Sequence, residues 1–279
     1  MDKKVPIDTR GLFEPLDQKL IELLKALEPE EWNNQTVAKA WKVKDVASHL
    51  LDGNLRTLSM QRDAYFGDSP PKAVQEYSQL VQWLNELNAD WVKATRRLSP
   101  DVLIALLEFS GNPVSKYYAG LKPWETAIFP VAWAGESTSY NWMHVAREYT
   151  EKWHHQQQIR EAVGVEGILT HEFFYPVMDT FFMALPYTFK DIDAPMGTTI
   201  KVMVSSGAGG EWYLEKLRDH WELVKDSLKQ PVAEVEIPID ISWQLFSKSL
   251  RPSEVQDKIR TLGDKHLGEQ VLEMVAVMA

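Results

Sequence analysis

The chain has 279 residues, of which 44% are hydrophobic and 25% charged, with a formal net charge of -10 at pH 7. This is the composition of a globular protein of one or two domains, and the acidic balance argues against a nucleic-acid-binding protein, which needs clustered Lys and Arg. The chain has no cysteine, which excludes disulfides, Cys-ligated zinc and a cysteine nucleophile. The N-terminal residues lack the apolar core of a signal peptide, and no apolar run reaches the roughly 18 residues of a membrane span, so we expect a cytoplasmic protein without membrane association.

The first part of the chain reads as a series of amphipathic helices. Apolar residues at helical spacing predict helices over residues 16–27, 43–65 and 73–98, and a shorter helix that begins at Ser99 and Pro100. Residues 111–135 hold three prolines and five prominent aromatic residues, so we predict a long loop there. This loop is either a lid or pocket wall, or a cover over the end of the helices.

The next helix is predicted over residues 140–164, with Ser137 or Thr138 as the N-cap and Gly164 as the stop. One stripe of this helix carries His144, Glu148, Glu151 and His155. The opposite side carries Trp142, Val145, Tyr149, Trp153 and Gln156. The pattern therefore has two interpretations. The His/Glu stripe either faces water, or it presents metal ligands, because Glu151 and His155 are one turn apart.

The second part of the chain changes periodicity. We predict a helix from His171 through residues 172–189, followed by strands over residues 198–205, 210–217, 220–224, 232–239 and 257–264. Helices are predicted over residues 241–250 and 266–279. An all-helical segment followed by a mixed one indicates two domains. We place them at residues 1–166 and 167–279, an all-α domain followed by a small α+β domain.

Three stretches together resemble one known family. Residues 41–50 contain Trp41, Asp45 and His49 followed by leucine; residues 151–164 contain Glu151 and His155 followed by an aliphatic-basic pair; and residues 263–272 close the second domain. Their order and spacing resemble the mycothiol-dependent maleylpyruvate isomerases, within the broader DinB-like metal-binding proteins. The resemblance implies a DinB-like four-helix bundle followed by a sterol-carrier-like α+β domain. It also implies that the 140–164 helix is buried on both sides.

The resemblance also implies a site. His49, Glu151 and His155 would bind a divalent metal, Zn²⁺ or alternatively Ni²⁺, with a position left open for a thiol. Because the chain has no cysteine, a low-molecular-weight thiol, mycothiol or another, would supply the sulfur. His144, Glu148 and Asp52 would orient the ligands or line the pocket, with Asn54 as a further partner for His49. His154 points about 100° away from His155 and is the weaker candidate.

The leading hypothesis is therefore a metal- and thiol-dependent isomerase or S-transferase. It would act on a small-molecule substrate, as a monomer or homodimer, without nucleic-acid or membrane partners. The alternative is a non-catalytic carrier with an apolar-ligand pocket lined by residues 173–189, in which the metal site is structural or vestigial. A regulatory or stress-response protein with a structural metal site is the third hypothesis.

Overall fold

The computed structural model describes residues 3–68 and 76–277, and its N-terminal part is helical. The helices are α1 (Phe13–Ala26), α2 (Val43–Arg56), α3 (Tyr77–Thr95), α4 (Pro100–Gly120) and α5 (Asn141–Val163). The predicted long second helix is α2 continued by a π-helical stretch, Thr57–Arg62. The predicted start of the third helix, residues 73–75, lies outside the described residues.

Four of these helices, α1, α2, α4 and α5, pack together. α1 and α2 each pack against α4 and α5, and α3 lies against α2. The apolar faces meet in a core that includes Leu20, Leu24, Val46, Leu50 and Ile159. This packing brings the middle of α2, where His49 lies, against the C-terminal half of α5.

The predicted loop over residues 111–135 is wrong in its first part, because α4 continues to Gly120. Gly111 and Pro113 were the signals for an end, but both lie inside the helix. Gly111 is buried where α1 packs against α4, and a Cβ at this position would lie 2.9 Å from Oδ2 of Asp17. The glycine therefore serves a close approach between helices. The remaining aromatic residues mostly cover the helices: Trp133 is buried, and Phe129 packs on His144.

The boundaries of α5 agree with the prediction, but its cap does not. Gly164 ends the helix with φ +68°, the left-handed conformation that favours glycine. The N-cap is Tyr140, with no side-chain hydrogen bond, rather than Ser137 or Thr138. The neighbouring Ser139 hydroxyl is used elsewhere, since it accepts a hydrogen bond from the backbone nitrogen of Val131 at 2.8 Å.

The C-terminal part begins with α6 (His171–Phe182) and α7 (Leu185–Thr188), so the single predicted helix is broken at residues 183–184. The five predicted strands are present as β1 (Thr199–Ser205), β2 (Gly210–Lys216), β3 (Trp221–Val224), β4 (Ala233–Pro238) and β5 (Arg260–Gly263). They form one sheet in the order β3-β2-β1-β4-β5. β1 and β4 run parallel in the centre, and the other neighbours are antiparallel.

Three helices complete this part. They are α8 (Ile239–Phe246), α9 (Pro252–Val255) and α10 (Lys265–Leu272). The predicted last helix is too long, since α10 ends at Leu272; residues 278–279 lie outside the described residues. A helical N-terminal part followed by a mixed sheet with helices agrees with the predicted order of the two parts.

The apolar side chains of α6 fill the core between the helices and the sheet. Phe174, Phe181 and Phe182 are fully buried, and Phe182 stacks on Trp212 with ring centroids 4.4 Å apart. This packing explains the apolar character of α6 without a ligand, which removes the feature that favoured an apolar-ligand carrier. In the described part of the chain, no helix is both long and apolar enough to cross a membrane.

Candidate metal centre

The helix α5 is buried on both sides, so its His/Glu stripe does not face bulk water. Within residues 141–160, every residue is buried except Glu148, Glu151 and Lys152. His144, on the same stripe, has no exposed surface. The three partly exposed residues all line one pocket. The polar stripe of α5 therefore meets solvent through that pocket.

The pocket lies between α1, α2, α4 and α5. It contains about 360 Å³ of empty space, including the part that is open to solvent. Its walls combine apolar side chains, polar groups and charges: Phe13, His49, Leu50, Gly53, Asn54, Thr57, Val114, Tyr118, Glu148, Glu151, Lys152 and His155.

Two imidazoles from distant parts of the chain meet at the pocket. The rings of His49 on α2 and His155 on α5 pack edge to face with centroids 4.6 Å apart. Trp41 covers both rings, 4.7 Å from His49 and 5.9 Å from His155. Glu151 stands one turn before His155, with Oε2 3.6 Å from its Nε2. All three residues that the sequence singled out as ligands thus line the same pocket.

His49 has the properties of an uncharged ligand. Burial, reinforced by His155, Arg56 and His154, holds the pKa of His49 well below its usual value. Its Nδ1 is buried without a hydrogen-bond partner. A neutral imidazole keeps a lone pair for a metal ion at neutral pH, where a protonated one does not.

A second imidazole on α5 is also close. Among the described residues, Glu151, His154 and His155 form a group whose potential ligand atoms all lie within 4.8 Å of one another. His49 is not part of that group, although its ring touches His155. His154 is not among the residues lining the pocket. The position of His154 is set by Gln158, whose amide nitrogen donates to His154 Nε2 at 2.8 Å.

Gln158 connects the two adjacent histidines. Its amide oxygen accepts a hydrogen bond from Nδ1 of His155 at 3.0 Å, which leaves the His155 Nε2 lone pair free on the side of Glu151. Since the amide nitrogen donates to Nε2 of His154, that ring carries its proton on Nδ1, which is buried without a partner. Burial, with a contribution from His155, lowers the pKa of His154 well below its usual value. One amide therefore fixes both tautomers.

This network predicts the tautomers of both rings in the metal-free protein. We expect His155 with its proton on Nδ1 in the native chain and loss of that preference in Gln158→Leu. Gln158→Glu should keep His155 unchanged but move the His154 proton to Nε2, because a carboxylate only accepts. Long-range ¹H–¹⁵N NMR of the imidazoles measures both. A native chain with the His155 proton on Nε2 would contradict the assignment.

A buried ionic network borders the pocket on the side of Glu148. Arg147 Nη2 lies 2.8 Å from Glu148 Oε1 and donates to Nδ1 of His144 at 2.7 Å, while Nε2 of His144 donates to Gln61 at 2.9 Å. Burial acts to raise the pKa of Glu148, but Arg147 and other nearby groups outweigh it, and the pKa is lowered. Glu148 therefore stays charged in the pocket wall. His144 supports this network rather than the two histidine rings at the pocket.

Asp52 and Asn54, the two side chains that we expected to orient His49, contact other groups in the structure. Asp52 instead lies 3.6 Å from Arg56, one turn away, and burial raises its pKa against the effect of that arginine. The Asn54 amide donates to the Ser110 hydroxyl at 3.0 Å. The Asn54 hydrogen bond joins α2 to α4, whereas the Asp52 contact stays within α2.

Because His144 is buried, we expect the free energy of unfolding to fall at acidic pH. Burial, partly opposed by Glu148, lowers the pKa of His144 to about 4. The unfolded chain takes up this proton near pH 6.5 and the folded chain only near pH 4, so the free energy of unfolding falls as pH drops through that window. The term amounts to about 3 kcal/mol between pH 7 and 4. In urea unfolding of metal-free protein, His144→Gln should weaken this pH dependence by about that amount. The exposed His220→Gln should not.

The sequence did not reveal two other features of this region. Lys152 on α5 lines the pocket, yet both of its contacts to Asp17 on α1 measure 2.6 Å. Tyr118 on α4 also lines the pocket and hydrogen-bonds to Thr57 at 3.1 Å. Both depend on which helices become neighbours, and no local pattern signals that.

Comparison with known proteins assigns the chain to a family. The family model described as the mycothiol maleylpyruvate isomerase N-terminal domain matches residues 13–160, more than half of the 279 residues. The chain belongs to this family. The matched segment contains α1 to α5 almost completely, with His49, Glu151 and His155 inside it.

Solved structures extend the likeness to the second part of the chain. The mycothiol-dependent maleylpyruvate isomerase superimposes with a TM-score of 0.51 at 12% identity, over 86% of this chain and 88% of that chain. A histidine-to-alanine mutant of that enzyme superimposes with a TM-score of 0.52 at 11% identity and the same coverage. At these identities the likeness concerns the fold. No curated protein matches the chain.

Proposed function

We propose that the pocket binds a divalent metal ion, zinc or alternatively nickel, through His49, Glu151 and His155. One observation supports the proposal most directly. His49 and His155 are 106 positions apart along the chain, yet their rings are in contact and line the same pocket, with Glu151 beside them. Two imidazoles and one carboxylate are the donor set of a catalytic zinc site, which keeps one position open. The buried, unpartnered Nδ1 of His49 and its lowered pKa fit a neutral ligand ring.

The surrounding residues fit this role. Trp41 holds the His49 ring from one side, and Gln158 keeps the Nε2 lone pair of His155 available. Phe13, Leu50 and Val114 provide an apolar wall next to the charged groups. That wall lowers the local polarity, which strengthens electrostatic interactions inside the pocket.

We further propose that the protein is an enzyme that uses a low-molecular-weight thiol, as an isomerase or S-transferase that acts on a small molecule. When bound, the metal would hold the thiol as thiolate, a nucleophile able to add to an activated double bond or attack an electrophile. Family membership supports this proposal, as does a chain without a cysteine of its own. We also assign the N-terminal part to the DinB-like four-helix bundles and the C-terminal part to the sterol-carrier-like domains.

Cobalt substitution tests the thiol proposal directly. The metal-free protein is loaded with Co²⁺ and titrated with mycothiol, and in parallel with glutathione and other small thiols. Binding of a thiolate to the metal produces a ligand-to-metal absorption band in the near ultraviolet. We expect this band with at least one thiol in the native chain and not in His155→Ala. If Co²⁺ binds in the pocket but no thiol produces the thiolate band, the thiol proposal fails and the metal site is structural.

A further inference from the structure

The charges lining the pocket bear on the kind of substrate it accepts. In the described residues, the pocket wall contains two carboxylates, Glu148 and Glu151, and one cationic side chain, Lys152. We propose that the substrate that reacts with the thiol is an uncharged electrophile rather than a dicarboxylate, and that Asp17 sets this preference by neutralising Lys152. This inference rests on the proposed function and specifies the substrate class of the same site.

Lys152 is fully engaged by Asp17. Its Nζ lies 2.6 Å from both carboxylate oxygens, and the two side chains are 12% and 19% exposed. Asp17 is not itself a residue of the pocket wall. The carboxylate therefore draws the ammonium group away from a ligand, and a substrate carboxylate would have to displace a partly buried, charge-assisted pair.

The fold holds Asp17 in this position. Gly111 lets α4 approach α1 closely, and a side chain there would meet Asp17 Oδ2 at 2.9 Å. Nζ of Lys152 also lies 6.0 Å from the centroid of the Phe13 ring, the outer limit of a cation–π contact. Three helices thus converge on one ion pair: α1 supplies the carboxylate, α5 the ammonium, and α4 the room for both.

The other cations near the pocket are engaged in the same way. Arg147 contacts Glu148 at 2.8 Å and His144 at 2.7 Å. Arg56 lies 3.6 Å from Asp52. Neither arginine belongs to the pocket wall. In the described part of the chain, each cationic group at or next to the pocket therefore has an anionic partner.

Among the residues that the structure describes, these pairings leave no unpaired positive charge at the pocket for an anionic substrate. The two positive charges of a bound divalent metal would be balanced by Glu151 and a thiolate, and Glu148 with Arg147 and Asp17 with Lys152 are neutral pairs. Maleylpyruvate carries two carboxylates, so its burial here would leave charge uncompensated, which is strongly unfavourable. An enone or an unsaturated ester fits the apolar wall of Phe13, Leu50 and Val114 without that cost.

The experiment compares maleate with its dimethyl ester as probes. Metal-free, full-length protein is labelled with ¹⁵N and titrated with each probe, and the amide shifts of the pocket helices are followed. We expect maleate to bind the native chain measurably but more weakly than its dimethyl ester does. In Asp17→Asn, which frees Lys152, maleate should bind about tenfold more tightly, the factor expected for one charge-assisted hydrogen bond. Glu108→Gln is the matched control, because it frees Lys25 from a 2.6 Å pair on the surface.

Native protein that binds maleate in the pocket as tightly as Asp17→Asn would overturn the proposal. Absence of any gain in Asp17→Asn, with native-like thermal unfolding, would overturn the assignment to Asp17. If Asp17→Asn does not fold, Lys152→Met decides that assignment: loss of a maleate signal present in the native chain refutes it.

Turnover of the zinc-loaded protein with thiol separates this inference from the proposed function. We expect dimethyl maleate to be consumed in preference to maleate, with the preference shifted about tenfold towards maleate in Asp17→Asn. A native preference for maleate would contradict the inference while it supports the enzyme. If neither probe is converted and no thiolate band forms with Co²⁺, the proposed function fails, and the maleate titration still decides the question of charge.

Discussion

Alanine at His49, Glu151 or His155 is expected to lower the affinity for Zn²⁺ by about 100-fold or more, since loss of a partner that only orients a ligand already costs about 10–100-fold. In the proposed site each of these side chains supplies one of three donors, and no two of them form a complete site. Competition with a chromophoric chelator measures the affinity, and elemental analysis of the purified protein measures the metal content. The native chain should also gain thermal stability with added Zn²⁺, because a ligand that binds the folded state shifts unfolding by mass action.

Two controls sharpen this experiment. His220→Ala removes an exposed histidine paired with Asp219 and should leave the affinity unchanged. His154→Ala separates the two ligand sets that the geometry allows, since His154 lies with Glu151 and His155 in one group. We expect His154→Ala to bind Zn²⁺ nearly as well as the native chain. Strong loss in His154→Ala together with native affinity in His49→Ala would move the site to the other face of α5.

Trp153→Ala is expected to lower the free energy of unfolding by about 3–5 kcal/mol, the range for truncating a fully buried aromatic side chain. Trp153 has no exposed surface, and its ring packs against Phe174 of α6 at 5.4 Å and Trp243 of α8 at 6.1 Å. Its indole nitrogen donates to the carbonyl of Ile168 at 3.1 Å. The substitution thus removes contacts that join the helical part to the C-terminal part.

Urea unfolding followed by circular dichroism measures this loss. Trp153→Phe is the matched control, because it keeps a buried ring and removes the hydrogen bond to Ile168; it should cost about 1–2 kcal/mol. The cluster of buried residues around Trp153 runs without a break from α1 into the sheet. We therefore expect one cooperative transition in all three proteins. Two well-separated transitions, with the substitution affecting one of them, would show that the two parts unfold independently.

Much of the fold could be predicted from the sequence, because local patterns of apolar residues and glycine indicate its strands and helix ends. The strands of the C-terminal sheet alternate in burial as their sequences predict, and Gly164 ends α5 where a residue with positive φ is needed. The end of α4 did not follow. Gly111 and Pro113 signal a helix end in isolation, and here the packing of α1 against Gly111 overrides that signal. Tertiary contacts of this kind have no trace in a one-dimensional pattern.

The candidate site also has features that the sequence predicted and features that it did not. The spacing of Glu151 and His155 and the resemblance around His49 singled out three residues that line one pocket. Periodicity alone favoured a stripe that faces solvent. Buried polar residues need polar partners, and periodicity does not show whether such partners lie on a neighbouring helix. The roles of Gln158 and Asp17 depend on hydrogen bonds to neighbouring side chains. Spacing along the chain does not reveal which groups will be within reach.

The burial of most of α5 has a consequence for how the site moves. Amide hydrogens exchange slowly with solvent where local opening must disrupt many packed neighbours. Residues 141–160 pack against α1, α2 and α6. These amides should be among the last to exchange in deuterated water. We therefore expect Glu148, Glu151 and Lys152 to project from a rigid backbone, so that a ligand entering between them would find its partners already in place and lose little entropy in ordering them.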